Sequence, residues 1–225
     1  LMAQEGNTCG PLDWVDELRA VEEKVRQVTR TGTRAESSAA NALLYDFNRI
    51  PHPFTNMHVT EQGLDQLDEY IGRVRSVIGT KVPLAIDHFG HFPLPDMIKI
   101  ARRLEKYHLA WLEDMLPWYL TGQYGELKHA TTAPIATGED MYLAESFEPL
   151  LQAGVLDVVH PDLLTSGGIL ETKKLGDLAA RYGASMALHM CESPVSALAG
   201  AHMATASENF FAQEHDAFDS EWWQD

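Results

Sequence analysis

Apolar runs in this chain end, at intervals of 23 to 27 residues, in a side chain able to bind a metal or move a proton. Leu84-Ala85-Ile86-Asp87, Leu109-Ala110-Trp111-Leu112-Glu113 and Pro134-Ile135-Ala136-Thr137-Gly138-Glu139 come first, with 26 residues from Asp87 to Glu113 and 26 from Glu113 to Glu139. Val155 to Val159 then leads through His160-Pro161 to Asp162, Ala184 to Leu188 leads to His189, and Phe210-Phe211-Ala212-Gln213 leads to Glu214. A period in the mid-twenties holds one strand, one helix and two short loops, so the repeated unit is βα rather than a solenoid repeat. Parallel strands joined by helical crossovers close into a barrel, and their C-terminal ends then face one centre. The expectation is an α/β fold, a (β/α) TIM-type barrel, with these end residues on one rim.

The rest of the chain fits that rhythm. Strands are predicted at 83–87, 109–113, 134–139, 155–159, 184–189 and 209–214, with helices between them near 95–107, 121–131, 143–153, 168–182 and 194–207. Upstream, Thr60-Glu61 opens a helix through Leu64, Leu67, Ile71, Val74 and Ile78 that stops at Gly79. Trp14, Leu18, Val21, Val25 and Val28 recur at near-helical spacing. Two weaker strands are predicted in 1–10 and 42–47, which brings the candidate strands to eight. No linker divides residues 1–225, which read as one barrel domain. The helix expected after the eighth strand does not follow, so the barrel is incomplete and the chain is expected to be part of a larger polypeptide.

Composition narrows the partners. The net charge of −16 argues against nucleic acid, whose binding depends on basic groups that neutralise phosphates. It leaves room for an anionic small molecule, because a bound divalent cation inverts the local field. No apolar run approaches the roughly 20 residues that cross a bilayer, and no signal peptide opens the chain. The two cysteines, Cys9 and Cys191, make no disulfide framework, so a cytoplasmic location is expected.

Asp87, Glu113 and Glu139 are individually ordinary strand-end acids, but three on consecutive strands at matched spacing are not. Gathered without a cation they would repel one another, and an oxygen-only donor set favours Mg²⁺ over zinc or copper. Asp162 and His189 end neighbouring strands about 4.8 Å apart, so a hydrogen bond between them would orient the imidazole and raise its basicity for acid–base work. Glu214 is a candidate proton or hydrogen-bond donor, if kept neutral by an acidic neighbourhood. In Asp87-His88-Phe89-Gly90-His91, either His88 or His91 is placed to protonate a leaving hydroxide or hold substrate, and direct ligation by a histidine stands as an open alternative.

These residues resemble the enolase superfamily, in its mandelate racemase/muconate-lactonizing branch. The matching motifs are Ala85-Ile86-Asp87, Leu112-Glu113-Asp114, Thr137-Gly138-Glu139-Asp140, His160-Pro161-Asp162 with Gly167-Gly168, and Leu188-His189, within residues 60–225. The resemblance implies a modified (β/α) barrel, Mg²⁺ on Asp87, Glu113 and Glu139, an Asp162–His189 dyad, and Glu214 near a substrate carboxylate. It also implies homo-oligomers and an N-terminal capping domain, which is not evident in this chain. Leu44-Tyr45-Asp46 stands where the family's Lys-x-Lys base would fall, so two-base racemisation is less attractive than the acid-sugar dehydratase pattern. That pattern has a histidine two residues after the first metal-binding Asp, whereas here histidines follow at one and four. The expected activity is Mg²⁺-dependent removal of the proton α to a carboxylate, with loss of the β-hydroxyl as water, from a sugar acid. The alternatives are a racemase, epimerase or cycloisomerase of the same superfamily, and a non-catalytic barrel that binds a metabolite or regulates a partner.

Overall fold

The computed structural model of the chain describes residues 27, 58–87, 92–191 and 193–215. The strands expected in 1–10 and 42–47, the helix around Trp14 (apart from helical Gln27), Leu44-Tyr45-Asp46, His88 and His91 lie outside the described residues. From Leu94 onward, helices and strands alternate as the periodicity predicts, with a further helix before them. They are α1 (Glu61–Ile78), α2 (Leu94–Leu104) with a 3₁₀ turn at Glu105–Tyr107, β1 (Leu112–Glu113), α3 (Thr121–Ala130), β2 (Ile135–Thr137) and α4 (Leu143–Gln152). β3 (Val158–Val159), α5 (Gly168–Arg181), β4 (Ser185–Leu188), α6 (Pro194–Thr205) and β5 (Phe210–Gln213) follow. Local chemistry sets several ends. Thr60 Oγ1 accepts from Gly63 N at 3.1 Å to start α1, and Ser193 and Ser196 form a reciprocal capping box at the start of α6.

The strands form one parallel sheet in chain order, β1-β2-β3-β4-β5. The order never reverses, so this is the wall of a barrel rather than a doubly wound sheet. Residues 84–86 continue the wall beside β1: Ala110 N donates to Leu84 O at 2.8 Å, and Glu113 N to Ile86 O at 2.9 Å. The strand expected over 83–87 is thereby reduced to a bridge between Ile86 and Leu112, since acceptors two residues apart, Leu84 and Ile86, take donors three apart, Ala110 and Glu113, and the ladder does not keep register. The other strands are shorter than their apolar runs, and the run ends turn out of the ladder toward the rim.

Period-2 alternation divides the side chains into two cores. Outward, Ile86, Leu112, Ile135, Val159, Met186 and Leu188 pack against the helices together with Leu104, Leu127, Phe147, Leu150 and Leu175. Inward, a smaller cluster holds Trp111, Ala136, Val158 and Ala187, with Ala85, Ala110 and Ala212 beside it. Alanines on this face leave room for the Trp111 indole. The last strand contains a β-bulge: Met186 pairs with Phe210, but Ala187 pairs with Ala212 and Leu188 with Gln213. The extra residue, Phe211, resets the alternation so that Ala212 and Glu214, rather than Gln213, continue the inner face. Gln213 instead donates from Nε2 to Ala197 O of α6 at 2.9 Å.

Gly138 carries the chain from β2 to the rim at φ 149°, and an added Cβ would lie 2.5 Å from the Phe147 ring and 3.0 Å from the His160 carbonyl carbon. Both strain and overlap act there, so Gly138→Ala is expected to lower stability by about 2–4 kcal/mol, measured by urea unfolding. Unchanged stability would mean that this turn is not the tight junction described. Among the described residues, no helix is long and apolar enough to cross a membrane.

Candidate active site

The inner face of each strand delivers its next polar residue to the C-terminal rim. Trp111 is followed two residues on by Glu113, Val158 by His160 and then Asp162, Ala187 by His189, and Ala212 by Glu214. Asp87 follows the Ile86 bridge, and Glu139 follows the Gly138 turn. Hydrogen bonds fix these ends: Glu214 N donates to Leu188 O at 2.9 Å, His189 N to Pro161 O at 3.1 Å, and His160 N to Thr137 O at 3.0 Å.

One oxygen from each of Asp87, Glu113, Asp114 and Glu139 lies within 4.8 Å of the other three. Asp87 is exposed, Asp114 and Glu139 are partly buried, and Glu113 is only 1% exposed. Burial pushes the Asp114 carboxyl up to about 7; the Thr137 hydroxyl that donates to it opposes this, and the charges of Glu139, Glu113 and Asp87 add to it. Glu113 behaves oppositely. Burial would raise it, but hydrogen bonds from His160 and Trp111 hold it below the usual carboxylate range.

His189 faces this group from the other side of the rim. Its Nδ1 donates to Asp162 Oδ2 at 2.7 Å, and its Nε2 lies 3.3 Å from Glu139 Oε2 and 3.8 Å from Glu214 Oε2. Asp162 is itself held, accepting from Leu164 N at 2.7 Å on its other oxygen. Burial lowers the His189 pKa, but the Asp162 hydrogen bond and the charges of Glu139, Glu214 and Asp162 prevail and lift it to about 9. Since Asp162 accepts at Nδ1, the neutral ring exposes its lone pair at Nε2, toward the carboxylates. Glu214 is raised chiefly by burial and accepts from Met190 N at 3.2 Å.

The structure therefore brings together Asp87, Glu113, Glu139, Asp162, His189 and Glu214. Three further residues join them to which the sequence reading assigned no role. Asp114 parts from strand alternation because its backbone enters the left-handed region at φ 43°. Trp111 and His160 both donate to Glu113, the first from Nε1 at 2.6 Å and the second from Nδ1. Their signal was parity: Trp111 precedes Glu113 by two, and His160 precedes Asp162 by two.

Comparison with known proteins agrees with this layout. The family model described as Enolase C-terminal domain-like matches residues 52–225. The D-xylonate dehydratase of Haloferax volcanii is 32% identical over 170 residues, covering 76% of this chain and 41% of that protein. The D-gluconate/D-galactonate dehydratase of Picrophilus torridus is 27% identical over 172 residues, covering 76% of this chain and 44% of that protein. Among solved structures, the mandelate racemase/muconate lactonizing enzyme-like protein from Rubrobacter xylanophilus superposes with a TM-score of 0.71 at 32% identity, over 73% of this chain and 42% of that one. The chain thus spans less than half the length of these relatives. The parallel wall, the order of its rim residues and these matches agree that the chain belongs to the enolase C-terminal domain-like family, within the mandelate racemase/muconate lactonizing enzyme group of the enolase superfamily.

Proposed function

We propose that this chain is the catalytic barrel of a divalent-metal-dependent sugar-acid dehydratase. The observation that carries the reading is His189, turned by Asp162 so that Nε2 meets the edge of the four-carboxylate group at Glu139, 3.3 Å away. The donor set suits a hard cation: all are oxygens, all lie within 4.8 Å of one another, and their mutual charge helps lift Asp114 to about 7. Asp87, Glu113 and Glu139 would hold Mg²⁺, with Asp114 beside them. When bound, the cation supplies positive charge next to the substrate carboxylate, where negative charge develops as the α-proton leaves.

His189 Nε2 takes the proton from the carbon α to the carboxylate. The C–H electron pair moves toward the carboxylate, and then forms the α,β double bond as the β-carbon–oxygen bond breaks. The departing hydroxide takes a proton and leaves as water, and the enol rearranges to a 2-keto acid. Either His88 or His91 is the proposed donor of that proton. Glu214, which burial raises, would donate a hydrogen bond to the substrate carboxylate when it is protonated. The names of the relatives point to five- and six-carbon sugar acids.

The test is incubation of the full-length polypeptide and Mg²⁺ with D-xylonate, D-gluconate, D-galactonate and related acids in deuterium oxide. Release of a 2-keto acid is expected from at least one. Exchange of the α-hydrogen without water loss would replace dehydration by epimerisation. Neither product nor exchange would favour a non-catalytic barrel.

A further inference from the structure

The acid–base scheme above leaves one buried imidazole without a task. His160 is 0% exposed and lies inside the barrel wall between two groups of the site. Its Nδ1 meets Glu113 Oε1, while its Nε2 lies 3.9 Å from Glu214 Oε1 and makes no hydrogen bond among the described residues. A carboxylate only accepts, so Nδ1 is the nitrogen that carries the proton toward Glu113. The other Glu113 oxygen, Oε2, accepts from Trp111 Nε1 at 2.6 Å.

Two ring N–H groups, one from β1's own approach and one from the end of β3, thus grip the two oxygens of one carboxylate. Both rings are themselves fixed. Trp111 is 9% exposed, its centroid is 6.0 Å from that of His160, and the His160 ring meets the His189 ring edge-on at 5.9 Å. Each Glu113 oxygen accepts one N–H and keeps a further lone pair, so the grip sets the carboxylate plane without exhausting its donor capacity. Without the grip, a carboxylate only 1% exposed would lose the partners that keep it charged and in one rotamer.

We propose that His160, together with Trp111, is the positioning residue that presents Glu113 to the divalent cation. The proposal rests on the metal-dependent reading of the site. Groups that orient a metal ligand change metal affinity by about 10- to 100-fold when removed. Asparagine at 160 can reproduce the Nδ1 donor while omitting Nε2, and leucine removes both.

The experiment measures Mn²⁺ affinity of the substrate-free full chain by electron paramagnetic resonance, with His160→Asn, His160→Leu and Trp111→Phe. His160→Leu and Trp111→Phe are expected to weaken Mn²⁺ binding by about 10- to 100-fold, and His160→Asn to stay within about threefold of the wild type. Wild-type affinity in folded His160→Leu overturns the proposal, as does His160→Asn binding no better than His160→Leu. Should His160→Leu fail to fold by circular dichroism, Trp111→Phe decides in its place, and unchanged affinity there overturns the grip. A wild-type chain that binds no Mn²⁺ defeats the metal-dependent reading itself, a result distinct from unchanged variants of a chain that binds.

Discussion

His189→Asn is expected to lower kcat for sugar-acid dehydration by about 10²- to 10⁴-fold, the range of a positioned general base or acid, with little change in Mg²⁺ affinity. Asparagine reproduces the Nδ1 donor to Asp162 but has no group at the Nε2 position, which lies 3.3 Å from Glu139 and 3.8 Å from Glu214. The loss therefore falls on proton transfer rather than on the shape of the wall. Asp162→Asn should reduce kcat as well, because an amide in place of the acceptor no longer fixes the proton on Nδ1. Retention of kcat in His189→Asn would remove the imidazole from the chemistry.

Much of the rim was legible because a barrel translates sequence order directly into spatial order. Each apolar run names a strand, consecutive strands are neighbours, and the residue closing each run reaches the common centre. Asp162 and His189 meet for that reason, 27 residues apart in sequence but joined by a bridge between adjacent strands. What the runs did not reveal depends on backbone detail. The bulge at Phe211 decides whether Gln213 or Glu214 faces inward, and nothing in Phe210-Phe211-Ala212-Gln213-Glu214 marks where the extra residue sits. Asp114 should alternate outward after Glu113, yet its left-handed backbone brings it into the carboxylate group. His160 stood in a quoted motif, but its value lies in a contact with Glu113 across β2, which no spacing along one strand discloses. Strand lengths were overread because an apolar run keeps its hydrophobic side chains after its backbone has left the ladder.

The largest effect beside that of His189 is expected from the carboxylates, and it should separate activity from stability. Asp87→Asn removes one of four acids whose oxygens lie within 4.8 Å of one another. The variant is expected to lower kcat/KM by about 10²- to 10³-fold, the scale of losing one preorganised electrostatic contribution, and to weaken Mg²⁺ binding. Yet the same charge works against the metal-free fold, since Asp87 is among the charges that push Asp114 up to about 7. Metal-free Asp87→Asn should therefore unfold at a urea concentration no lower than the metal-free wild type. Added Mg²⁺ should stabilise the wild type by an amount that grows with the logarithm of its concentration above Kd, and the variant far less at the same concentration. If Mg²⁺ stabilised both chains equally, the cation would be binding elsewhere. If the metal-free variant were markedly less stable, Asp87 would be serving the fold rather than the site. The expected pattern, activity lost while metal-free stability is kept, is what a cluster of like charges held together for a cation should produce.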